Sequence, residues 1–160
     1  MIDPSKSFLQ PQPSPEPVGH TFIMVMGSPD LEASLNFWRQ YFDTSVVGPI
    51  PYRIGVLSDA YDLPEDTLHP LALVSMSDGY GIEIDQYPEQ ASAVPAPEGE
   101  RGGVILVSLS VDPEGLKAPL PWRLPFTSAT GAVGGGVITL PSGAPLEITF
   151  TSPILPAAAD

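Results

Sequence analysis

The sequence predicts an α+β fold: two βαβββ modules forming curved mixed sheets around a cavity, the second module with a reduced helix. Three observations carry this. A single strong amphipathic helix follows an apolar strand near the start, with strands after it. A second apolar strand at 104–111 opens the same order again, with prolines cutting its helix short. An internal echo ties the halves together: Asp78-Gly79-Tyr80-Gly81-Ile82-Glu83-Ile84 parallels Ser142-Gly143-Ala144-Pro145-Leu146-Glu147-Ile148.

Residues 1–17 hold five prolines and read as an extended arm. Val18–Met26 is predicted as a strand, with His20, Phe22, Met24 and Met26 on one face and Thr21, Ile23 and Val25 on the other. Ser28-Pro29-Asp30 announces a helix: Ser28 is placed to cap it, and Pro29 suits its first position. Asp30 and Glu32 favour the positive end of its dipole. Leu31, Leu35, Trp38 and Phe42 then recur at spacings of 4, 3 and 4, one face of a helix ending about Phe42. Phe37, Trp38 and Tyr41 are read as core. This is the only helix expected.

Tyr52–Leu57, Leu71–Met76 and Tyr80–Tyr87 are predicted as strands, the last two joined by a turn at Ser77-Asp78-Gly79. Module one is thus 18–88. A Pro/Ala/Glu/Gly linker spans 89–103, and module two spans 104–151. In it, Val104–Val111 is a strand and Asp112–Leu116 a turn or two of helix. Trp122–Ser128, Gly135–Leu140 and Leu146–Thr151 are further strands. Gly131–Gly136 is expected to be a hairpin or a flexible lid, because no strand precedes it and no helix follows to make a phosphate cradle. Residues 152–160 read as a tail.

The 160-residue chain carries 6 basic and 19 acidic residues, a net charge of −13. Its cations (Lys6, Arg39, Arg53, Arg101, Lys117, Arg123) are scattered, so neither nucleic acid nor an anionic membrane is an expected partner. With no cysteine, thiolate chemistry, disulfides and Cys-type zinc sites are excluded; this suits a cytoplasmic protein. Neither a secretory signal nor an apolar run of membrane-spanning length is present. No Ser or Thr stands in a nucleophile-elbow context.

The chemistry must come from few residues. Alternation puts Glu83 and Asp85 opposite Ile82 and Ile84, and Glu147, Thr149 and Thr151 opposite Leu146, Ile148 and Phe150. Carboxylates are poor strand formers, so one at the same point of both repeats suggests a shared polar cavity, where it serves as metal ligand or general base. The alternative is that both glutamates decorate a solvent-facing side. His20 is either a ligand or a hydrogen-bonded structural residue. His69, before Pro70, reads as a loop residue. Tyr52 and Arg53 are placed either to bind a carbonyl or carboxylate substrate or to lie at the surface.

The run His20-Thr21-Phe22-Ile23-Met24-Val25 with Pro29-Asp30-Leu31-Glu32-Ala33-Ser34-Leu35-Asn36-Phe37-Trp38 resembles the opening of the vicinal oxygen chelate superfamily. Asp78-Gly79 through Ile84 and Pro141-Ser142-Gly143 through Ile148 resemble its later strands. This superfamily includes glyoxalase I, extradiol dioxygenases and bleomycin-resistance-type binding proteins. The resemblance covers 18–151 and implies one divalent metal ion (Zn, Ni, Mn or Fe) held by His20, Glu83 and Glu147, with Glu83 and Glu147 also moving protons. It implies a substrate pocket including Phe22, Met24, Arg53 and Trp122. The early ligand of module two would fall near Gly102–Val104, where no His, Glu or Gln stands. The function implied is a metal-dependent lyase or isomerase acting beside a carbonyl. The alternatives are a metal-free binding protein for an apolar or aromatic molecule, with Tyr87 in its pocket, and a ring-cleaving dioxygenase-like protein. A homodimer is expected, with a small molecule as substrate or ligand.

Overall fold

The computed structural model describes residues 23–76, 79–91, 106–127 and 132–154. The chain divides into two compact units, residues 1–39 with 44–91, and residues 40–43 with 92–160.

The first unit is a four-stranded mixed sheet with a helix. Its strands are β1 (Ile23–Ser28), β2 (Val46–Arg53), β3 (Leu68–Ser75) and β4 (Gly81–Gln86), in the order β1-β4-β3-β2. β1 runs parallel to β4, and the other pairs are antiparallel. Helix α1 (Leu31–Tyr41) follows β1. Its cap is Asp30, which accepts from the backbone N–H of Ala33 at 2.9 Å, rather than the expected Ser28. Ser28 is buried and bonded to Ser34 at 2.8 Å, so its hydroxyl ties strand to helix. Gln86 at the end of β4 accepts from Leu31 N–H at 2.8 Å, satisfying another of the helix's free donors.

Alternation then builds the core. Register pairing sets Ala72 and Val74 beside Ile84 and Ile82, and all four are buried on one face of the sheet. With Leu31, Leu35, Phe37 and Trp38 of α1 they form the apolar interior of this unit. The opposite face carries Val25 and Gly27 of β1, Leu71 and Leu73 of β3, and Glu83 and Asp85 of β4.

Two elements depart from expectation. The strand expected at Tyr52–Leu57 is β2, which starts at Val46 and ends at Arg53, and a second short helix, α2 (Gly55–Ala60), follows it. Pro49 and Pro51 argue against a strand from sequence alone. β2, however, lies at the sheet edge, where a missing N–H is tolerated, and Gly48 (φ +113°) lies within a register shift between Val47 and Ile50. His69 lies in β3 and not in a loop: it is buried, with Ser58 Oγ of α2 3.0 Å from its Nε2. Pro70 beside it is harmless because pairing with β4 begins only at Leu71.

The second unit repeats the plan with β5 (Val107–Val111), β6 (Leu124–Thr127), β7 (Val133–Thr139) and β8 (Pro145–Ile154), in the order β5-β8-β7-β6. β5 is parallel to β8. The helix is reduced to a single 3-10 turn, Pro113–Gly115, capped by Asp112 Oδ1 accepting from Glu114 N–H at 3.0 Å. Phe42 bridges to Leu116, and Ile138, Leu146 and Ile148 are fully buried. The glycines expected in a hairpin or lid are part of a strand where described: Gly134, Gly135 and Gly136 lie inside β7. A Cβ at Gly135 (φ +146°) would overlap the Ile148 carbonyl, so glycine permits the bulge and close approach to β8 at this point. β8 runs on to Ile154, past the predicted end of module two.

Candidate functional site

Each sheet presents one expected carboxylate at the same place. Glu83 is the third residue of β4, flanked in register by Val25 on β1 and Leu73 on β3. Glu147 is the third residue of β8, flanked by Ser108 on β5 and Val137 on β7. In each unit the strand bearing the glutamate is the inner one, parallel to the unit's first strand. The side chains on either side of each glutamate along its strand, Ile82 and Ile84 or Leu146 and Ile148, are buried. Both glutamates therefore face away from their unit's apolar side. Glu147 Oε2 accepts a hydrogen bond from Ser108 Oγ, its register partner.

Sequence reasoning did not single out Asp85, which shares the Glu83 face. It is 6% exposed, and its Oδ1 has no hydrogen-bond partner. The only other such buried oxygen among the described residues is the Ser142 hydroxyl, in the turn before β8. Burial pushes the Asp85 carboxyl up to about 6, and the charge and hydrogen bond of neighbouring Glu83 push the same way. Its register partners are Gly27 and Leu71, the latter buried. A Cβ at Gly27 would fall within the ring of Tyr87, so that ring covers β1 beside Asp85. Alternation assigned Asp85 to this face, but alternation gives a direction and not a depth.

The expected pocket residues separate. Met24 pairs with Ile82, on the face opposite Glu83. Trp122 packs edge-on against Phe150 at 5.8 Å between ring centres, and a Cβ at Gly136 would meet it. Gly136 pairs with Ile148, so Trp122 lies on the buried side of its sheet, away from Glu147. Arg53, at the end of edge strand β2, is exposed and paired with Glu65. Tyr52 and Ile50 pair with His69 and Leu71, and so share the Glu83 face. His20 and Phe22 lie outside the described residues. Among the described residues no three His, Asp or Glu side chains group as around a metal ion, and no helix is long and apolar enough to cross a membrane.

No protein-family model and no curated protein matches this chain by sequence. Solved structures do match it by shape. A glyoxalase/dioxygenase from Nostoc punctiforme superposes with a TM-score of 0.54 at 16% identity, covering 87% of this chain and 95% of its own. A lactoylglutathione lyase from Agrobacterium tumefaciens gives a TM-score of 0.50 at 14% identity, covering 85% and 96%. The chain shares the fold of these two proteins. In that fold the positions the resemblance assigns to late ligands are the third residues of β4 and β8. The first-strand position implied for His20 lies five residues before Val25, the register partner of Glu83. Five residues before Ser108, the partner of Glu147, is Gly103, so the sequence offers no side-chain donor there.

Proposed function

We propose that this chain is an enzyme of the glyoxalase type, a divalent-metal-dependent lyase or isomerase acting beside a carbonyl group, with Glu83 and Glu147 as metal ligands. The supporting observation is the shared register: a strand-embedded glutamate at the third position of the inner strand in both sheets. Strands disfavour carboxylates, so the repetition calls for a common chemical role. Carboxylate oxygens are donors that suit a divalent ion such as Zn, Mn, Fe or Ni. The unpartnered oxygen of Asp85 marks further demand for positive charge on the Glu83 face. The ion, when bound, supplies a Lewis acid for the substrate carbonyl oxygen. The chain's own residues hold the substrate and move its proton. Glu147, oriented by Ser108 Oγ, and Glu83 are the bases for the carbon next to that carbonyl.

The test is turnover of α-ketoaldehyde adducts and enolisable acids by chelator-treated protein, with and without added divalent metal. Metal-dependent turnover that falls at least about 100-fold in both Glu83→Gln and Glu147→Gln is expected. Turnover unaffected by either substitution would overturn the assignment. A second reading rests on the apolar side chains of the Glu83 face: Val25 and Tyr52 are each 58% exposed, and Ile50 lies beside Tyr52 on the same strand. They favour a metal-free binding protein for an aromatic or apolar molecule. Stabilisation by aromatic ligands with no response to metal would select it.

A further inference from the structure

Glu83 and Asp85 alternate onto the same face of β4, two residues apart, so their backbone positions lie about 6.6 to 6.8 Å from one another. Asp85 is buried between β1 and β3, and one of its carboxylate oxygens is without a partner. Among the described residues the ion pairs are Arg39–Glu32, Arg53–Glu65 and Lys117–Asp43, and none reaches Glu83 or Asp85. When both are ionised, two neighbouring carboxylates, one of them buried, repel each other and lose solvation, so the fold holds that state at a cost. A lysine or arginine side chain would relieve this, and the described residues supply none. A divalent cation would relieve it too, because carboxylate oxygens are its ordinary ligands.

We propose that Asp85 is a ligand of a divalent cation, binding it together with Glu83 through its buried, unpartnered oxygen. This rests on the metal-dependent reading above, but it makes a separate claim about a separate residue. Tyr87, over Gly27, and buried Leu71 flank Asp85 and keep its oxygen from being satisfied by bulk water.

The experiment is calorimetric titration of the chelator-treated full chain with Mn2+ alone. The variants are Asp85→Asn, Asp85→Ser, Glu83→Gln and Glu147→Gln, each first checked for cooperative melting in chelator. Asp85→Asn and Asp85→Ser are expected to melt at or above the parent without metal, and to bind Mn2+ at least tenfold more weakly. Parent-like Mn2+ affinity in both Asp85 variants, with weakened binding in Glu83→Gln and Glu147→Gln, overturns the role of Asp85 and leaves the proposed function standing. Weakened binding in the Asp85 and Glu83 variants, with Glu147→Gln unchanged, supports Asp85 as a ligand and overturns the ligand set proposed above. A parent protein that binds no Mn2+ overturns both.

Discussion

Asp85 has a pKa near 3.8 in the unfolded chain and about 6 in the folded one. A carboxyl raised on folding contributes most to stability below its unfolded pKa, and that contribution is lost as pH rises through the folded value. Without metal, Asp85→Asn should therefore match the parent's stability near pH 4 and exceed it by a few degrees in Tm at pH 7. Calorimetry across that range in chelator checks this, and a gap independent of pH would contradict it. His69 presents the opposite case, a buried polar group that is satisfied. His69→Ala leaves the fully buried Ser58 hydroxyl without its partner and should destabilise by about 1–3 kcal/mol in urea unfolding. The sequence made Glu83 and Glu147 legible because each interrupts an apolar strand in a repeated context. It could not reveal the depth of Asp85, nor the burial of His69, because both depend on neighbouring elements that local periodicity does not describe.

At the scale of elements, the readable ones were those buried on one face. α1 announced itself through Leu31, Leu35 and Trp38, all now in the core, and β4 and β8 through strict alternation. β2 was obscured because its prolines are tolerated only at a sheet edge, and edge position is a property of the assembled sheet. α2 has six residues, with Gly55 at its start and no side-chain cap, too short to show periodicity. The glycines of β7 looked like a hairpin or lid because their purpose, room for β8, lies on another strand. Two substitutions separate these roles. Gly135→Ala should destabilise by roughly 1–3 kcal/mol or more through overlap with Ile148 and a disfavoured φ. Gly55→Ala, with nothing near its Cβ, should stabilise by about 0.5–1 kcal/mol through helix propensity. Denaturant midpoints check both, and equal effects would contradict the distinction.

For the whole molecule, the instructive feature is that one plan is written twice with unequal emphasis. Both units keep the same strand order and the same glutamate register, while the helix shrinks to a single 3-10 turn in the second. The apolar side chains left open on edge strands, Leu124 and Phe126 on β6 and Tyr52 on β2, suit pairing with a second copy. Light scattering should accordingly give about twice the 16.9 kDa of one chain; a monomeric mass at high concentration would refute this. The metal-dependent function proposed above is tested by elemental analysis of protein purified without chelator or affinity metal. About one equivalent of a divalent transition metal per chain is expected, lost from Glu83→Gln and Glu147→Gln alike. A metal-free protein that also fails to take up added Zn, Ni, Mn or Fe would contradict it.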